Sequence, residues 1–164
     1  MLFEPRQGRR KGPVMGHTYA NLVVHAVFST KQRQPLIHDS FRPRLLAYLS
    51  GIARNEFRGA LSVGGTKDHV HGLLVLAPNT CIADAMRKWK ASSSRWIHET
   101  FPEEADFAWQ EGYGAFSVSR SHVARVADYI AKQAEHHRKM TFEDEFVRLL
   151  KRHGIEYDPR YVWG

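Results

Sequence analysis

Residues 60–77 read ALSVGGTKDHVHGLLVLA. Two short apolar runs, 60–66 and 68–77, meet near Gly64-Gly65, and the pattern predicts a hairpin. Upstream, Phe41, Leu45, Leu46, Leu49, Ile52, Ala53 and Phe57 recur at helical spacing, with Asp39 as the expected N-cap and Pro43 tolerated in the first turn. Before that helix, residues 19–28 (YANLVVHAVF) form a nearly continuous apolar run with β-branched residues, which reads as a central strand. Downstream, Ile82, Ala85, Met86, Trp89, Ser93, Trp96 and Ile97 mark a second helix, and residues 113–119 a fourth strand. The order is β-α-β-β-α-β. It predicts an α+β, ferredoxin-like split βαβ fold: an antiparallel sheet with helices on one face.

Two more helices follow. Ser121 is the expected cap of the third, whose core positions are Val123, Val126, Ala127, Ile130 and Ala134. Thr141 and Asp144 resemble a capping box for the fourth, which carries Phe142, Phe146, Leu149 and Leu150 and stops at Gly154. Residues 155–164 (IEYDPRYVWG) are expected to pack as an extended aromatic tail.

The whole chain has 164 residues, enough for one domain whose core needs no disulfide. Residues 1–16 hold Arg6, Arg9, Arg10 and Lys11 among several Gly and Pro, and read as a basic tail, leaving 17–164 as the domain. No apolar run approaches the roughly 18 residues of a membrane span, and the charged start lacks the apolar stretch of a secretory signal. The single cysteine, Cys81, excludes an internal disulfide framework, so a cytoplasmic location is expected. Lys and Arg number 24 against 17 acidic residues, a net charge of +7. That balance favours a polyanionic partner, with plain solubility as the alternative.

Three groups of residues carry possible chemistry. His69 and His71 alternate on a strand, so both imidazoles point to one face and suit a shared divalent metal, or else stand as two half-buried histidines. Tyr129 and Gln133 are four residues apart on the third helix, on a stripe that Arg125 precedes and His136 and His137 follow. A tyrosine there is either a nucleophile in need of activation or an ordinary half-buried phenol. The third group is basic: Lys31 and Arg33 in a loop, and Arg87, Lys88, Lys90 and Arg95 on the helix that bears Trp89 and Trp96. Phosphate contacts beside aromatic rings suit single-stranded nucleic acid. Core packing explains the tryptophans equally, and a solvated face the charges. The acidic runs Glu103-Glu104 and Glu143-Asp144-Glu145 read as helix-start capping and solubility. No P-loop, GxSxG or HExxH is present.

Taken in order, VFSTKQRQPL (27–36), DHVHGLLV (68–75), WQEGYGAFSVS (109–119), DYIAKQAEHH (128–137) and GIEYDPRYVW (154–163) resemble the HUH single-tyrosine transposases of small bacterial insertion sequences. The resemblance extends to their chromosomal relatives associated with repetitive extragenic palindromes. It implies that His69, His71 and Gln133 bind a divalent ion, Mg²⁺ or Mn²⁺, and that Tyr129 attacks a DNA phosphodiester. Single-stranded, hairpin-bearing DNA is the implied substrate, contacted by Lys31, Arg33, Arg87, Lys88, Lys90, Arg95 and Arg125. A homodimer with active sites completed between protomers is implied as well. Gly72 departs from the family, where a larger apolar residue is common. Two other readings stay open. One is a non-catalytic, domesticated module that holds hairpin DNA or RNA. The other is a zinc hydrolase with a third ligand from His25, His136 or His137.

Overall fold

The computed structural model describes residues 18–163; the basic segment 1–16 lies outside them. Four strands, β1 (Leu22–Ser29), β2 (Gly59–Gly65), β3 (His69–Leu76) and β4 (Gly114–Ser117), form one antiparallel sheet in the order β2-β3-β1-β4. That is the ferredoxin-like arrangement the sequence predicts. The hairpin at residues 64–69 pairs β2 with β3, and β1 runs between β3 and β4.

Side-chain alternation divides the sheet into two faces. Ala26, Phe28, Val70, Leu74 and Leu76 pack against α1 (Arg42–Glu56) and α2 (Ile82–Thr100), which bring Leu45, Leu49, Ala85, Met86, Trp89 and Ile97 into the main core. Gly72 lies on this face. A Cβ there would stand 2.2 Å from the Trp89 ring, so the glycine makes room for the indole. Trp89 is fully buried and donates Nε1 to the Leu49 carbonyl at 2.9 Å, while Trp96 stacks on Tyr48. Both tryptophans are packing residues.

The opposite face carries His25, His69 and His71 and is covered by α3 (Val123–Ala131), α4 (Gln133–His136) and α5 (Phe142–Arg152). Val23 and Leu73 pack under Val123 and Ile130, and Val27 and Phe116 under Phe142, Phe146, Leu149 and Leu150. β2 comes so close to α3 that a Cβ on Gly64 would lie 2.1 Å from the Ile130 carbonyl oxygen.

Several local expectations are corrected. The third helix breaks at Lys132 (φ −99°, ψ 20°), so Gln133 begins the separate α4. Ser121 sits inside a 3-10 turn, Arg120–His122, and does not cap α3, whose N-cap is His122. Phe41 takes the cap position of α1, and Asp39 instead pairs with Arg42 at 2.6 Å. The Thr141 cap of α5 holds, with its hydroxyl accepting from Asp144 N at 3.2 Å. The last residues form turns, and Tyr157, Val162 and Trp163 pack on the α5 cluster.

Candidate active site and metal centre

The site stands where the middle of the sheet meets α3, α4 and α5. His69 and His71 are wholly buried on β3, and Gln133 is buried beside them on α4. His69 Nδ1 contacts Asp68 Oδ1 at 2.6 Å. A hydrogen donated to that carboxylate fixes the tautomer, so Nε2 turns its lone pair toward Gln133 Oε1 at 3.1 Å. His71 Nδ1 meets His25 Nε2 at 2.8 Å, and its Nε2 faces Glu145 Oε2 at 3.3 Å. Both strand histidines thus have Nδ1 engaged from behind and Nε2 directed into the centre.

Glu145 is the residue the sequence reading missed. In sequence it reads with Glu143 and Asp144 as capping and solubility, yet only 1% of it is exposed. The Tyr129 hydroxyl and Gln133 Nε2 both donate to its Oε1, the latter at 3.0 Å. His137 Nε2 lies 2.7 Å from its Oε2. One signal for this was present: Glu145 falls on the same stripe of α5 as Phe142, Phe146 and Leu149, which points at the core.

Burial pushes the Glu145 carboxyl up, but hydrogen bonds from His137, His71 and Tyr129 outweigh it and hold the group ionised. Burial keeps His25 and His71 neutral, lowered to about 3 and about 4. Tyr129 is raised well above the ordinary phenol range, first by burial and then by the Glu145 carboxylate that accepts its hydrogen bond. Its phenol is therefore held protonated while that carboxylate is uncompensated.

Of the three histidines considered as a third ligand, His137 reaches the cluster. His25 stands behind His71, and His136 packs its ring 4.7 Å from that of Tyr129. A cavity of about 740 Å³ opens onto Tyr129 and Glu145, and Arg125, Arg148 and Arg152 line it. A second, of about 690 Å³, reaches Asp68 and His137 past Arg33, Arg42, Lys67, Arg138 and Lys139. Arg33 also pairs with Glu143 at 2.6 Å and lies over the Trp163 ring.

The other basic residues are not gathered here. Arg87, Lys88 and Arg95 are exposed on α2, which covers the far face of the sheet. Lys90 donates to the carbonyls of Gln110, Glu111 and Gly112, and Lys31 is exposed in the turn after β1.

Comparison with known proteins bears on this geometry. The family described as "Transposase IS200 like" matches residues 18–133, a span that holds His69, His71, Tyr129 and Gln133. The chain belongs to that family. The ISDra2 transposase TnpA of Deinococcus radiodurans is 25% identical to this transposase over 136 residues, covering 80% of this chain and 92% of its own. The crystal structure of a protein assigned as a transposase from D. radiodurans R1 superposes with a TM-score of 0.57 at 27% identity, covering 74% of this chain and 95% of that one. A REP-associated tyrosine transposase bound to a REP hairpin shares the fold, with a TM-score of 0.54 at 13% identity over 88% of this chain and 91% of the other. The family match ends at Gln133, so His137 and Glu145 lie beyond it. Among the described residues, no helix is long and apolar enough to cross a membrane.

Proposed function

We propose that this transposase is a metal-dependent enzyme that cuts and rejoins single-stranded DNA with Tyr129 as nucleophile. One observation carries the reading: the Tyr129 hydroxyl, Gln133 and the two strand histidines converge on a single buried site. Binding DNA requires no such convergence.

The donor chemistry fits a divalent cation. Gln133 Nε2 donates to Glu145, which turns the amide oxygen toward His69 Nε2. With His69 Nδ1 donating to Asp68, a lone pair on Nε2 faces an amide oxygen at 3.1 Å and a carboxylate oxygen at 3.6 Å. Acceptors turned toward one another repel unless a cation lies among them. His69, His71 and Gln133 would hold Mg²⁺ or Mn²⁺, which supplies Lewis acidity to the scissile phosphate.

The chain's own groups do the rest. Tyr129 attacks phosphorus; the tyrosine O–P bond forms and the P–O3′ bond breaks. The products are a 5′-phosphotyrosine link and a free 3′-hydroxyl. Glu145 Oε1 already accepts the phenolic hydrogen, so the proton has a receiver in contact. The link conserves bond energy, and a 3′-hydroxyl from another strand reverses the step without a nucleotide cofactor. Arg125, Arg148 and Arg152 line the approach to Tyr129 and suit the phosphate backbone. The hairpin held by the fold neighbour supports hairpin-bearing DNA as substrate, and a homodimer and a cytoplasmic location belong to the same proposal.

The test is a denaturing gel. Labelled single-stranded DNA with hairpins, drawn from the flanks of the protein's own gene, is incubated with Mg²⁺ or Mn²⁺. A labelled band at protein-plus-DNA mass is expected, absent with Tyr129→Phe and with EDTA. An unchanged band in Tyr129→Phe would remove the nucleophile assignment. Bound DNA without any adduct would favour the domesticated binding module.

A further inference from the structure

A ligand set of His69, His71 and Gln133 leaves His137 and the second oxygen of Glu145 without a role. Glu145 brings a carboxylate into a pocket where an ion is costly to bury without a partner. His137 adds a third imidazole, directed at the same carboxylate. Both come from the segment after Gln133, beyond the part of the chain that matches the family. One ligand atom from each of His69, His71, His137 and Glu145 lies within 4.8 Å of all the others. Atoms bound at about 2.1 Å to one ion stand up to about 4.2 Å apart, so this cluster is already close to that spread.

The two carboxylate oxygens are divided. Oε1 takes the hydrogen bonds of Tyr129 and Gln133. Oε2 faces only imidazole nitrogens: His137 at 2.7 Å, His71 at 3.3 Å and His69 at 3.6 Å. His69 has its hydrogen engaged by Asp68, so its Nε2 brings a lone pair to Oε2. Oε2 and that nitrogen turn lone pairs toward each other at 3.6 Å.

We propose that Glu145 Oε2 and His137 Nε2 are metal ligands beside His69, His71 and Gln133, adding a third imidazole and a carboxylate to a centre that prefers a transition ion such as Mn²⁺ or Zn²⁺ to Mg²⁺. Mg²⁺ favours oxygen ligands and keeps its waters, whereas imidazole nitrogen suits the first-row transition ions. The inference rests on the metal-dependent reading above and names its ion class and its further ligands. It also gives Glu145 a bridging place, with one oxygen on the ion and the other on the nucleophile's hydroxyl.

The test reads binding, not turnover. The full chain is stripped with EDTA and desalted, and Mn²⁺, Zn²⁺ and Mg²⁺ are titrated separately by calorimetry, with metal per chain measured by mass spectrometry. One Mn²⁺ or Zn²⁺ per chain is expected, at least 100-fold tighter than Mg²⁺. Glu145→Gln should weaken Mn²⁺ by more than about 100-fold, beyond the 10- to 100-fold typical of an outer hydrogen-bond partner. His137→Ala should weaken it by at least 10-fold. If both variants bind like the unaltered chain while His69→Ala does not, the ion rests on His69, His71 and Gln133. The proposal then fails and the metal-dependent reading stands. No binding by the unaltered chain overturns both, and equal affinity for Mg²⁺ and Mn²⁺ overturns the preference. Should Glu145→Gln not fold, pulsed electron paramagnetic resonance of the Mn²⁺-loaded unaltered chain counts coordinated nitrogens: three are expected, and two would refute His137.

Discussion

His25 has no place in the proposed ligand set, yet it shares a hydrogen with His71 at 2.8 Å and is buried with it. Burial lowers His25 to about 3 and His71 to about 4. In the unfolded chain both return to about 6.5, so between pH 6.5 and the folded values the unfolded chain binds more protons. The stability they contribute is complete above pH 6.5 and is lost as pH falls toward 3–4. One such group costs about 2 kcal/mol by pH 5. Urea midpoints of EDTA-treated protein should therefore drop between pH 7.5 and pH 5, and less steeply in His25→Gln; parallel drops would remove His25 from the account. The arginines supply a second residue-scale expectation. Arg148 and Arg152 line the cavity at Tyr129, whereas Arg87 and Arg95 are on α2, across the sheet. Each phosphate contact contributes about 0.7 to the dependence of log affinity on log salt for a single strand. Arg148→Ala and Arg152→Ala should each lower that slope by about this amount in a filter-binding series, and Arg87→Ala should leave it unchanged. The reverse pattern would put the DNA on the α2 face.

At the scale of elements, α3 matters because it carries the nucleophile, and its height over the sheet is set by a missing side chain. A methyl group at Gly64 would meet the Ile130 carbonyl oxygen at 2.1 Å, and Ser62 Oγ donates to the Ala127 carbonyl at 3.1 Å from the same strand. Gly64→Ala should cost about 1–3 kcal/mol of stability as overpacking. Because α3 is the element that must move, adduct formation should fall more than DNA affinity; a Tm and a single-turnover yield like the unaltered chain's would contradict the close approach. This helix also shows where sequence reading stopped. The strand-helix order, the paired histidines on one face of β3 and the four-residue step from Tyr129 to Gln133 are all local patterns, and each is legible. The break at Lys132 is not, because nothing in the run YIAKQAE lowers helix propensity; only the packing shows it. Glu145 was obscured for a different reason. Three consecutive acids after a capping threonine satisfy the helix dipole without any reference to the sheet. Only the apolar stripe they interrupt tells which of the three turns inward. The basic residues of α2 are legible as a charged helix face beside Trp89 and Trp96, and helical spacing does not say which face of a sheet that helix covers.

Taken whole, the molecule gathers its site from one chain: β1 and β3 of the sheet, α3, α4 with the residue after it, and α5. Tyr129 touches Glu145 of its own chain, so the arrangement needs no second protomer. A mixture of Tyr129→Phe and His69→Ala proteins, each inactive alone, should therefore give no adduct. Recovery of activity on mixing would show the shared site that the family resemblance implies. The placement of Glu145 also has a consequence for the chain as it is made. Tyr129 is synthesised 16 residues before Glu145, an interval of about 1–3 s at ordinary translation rates. During that time the tyrosine and the strand histidines exist without the carboxylate on which they converge, and α5 has yet to cover Val27 and Phe116. A nascent transposase thus passes the point where its nucleophile is present while its centre is still open, and the centre closes only as the last helix emerges.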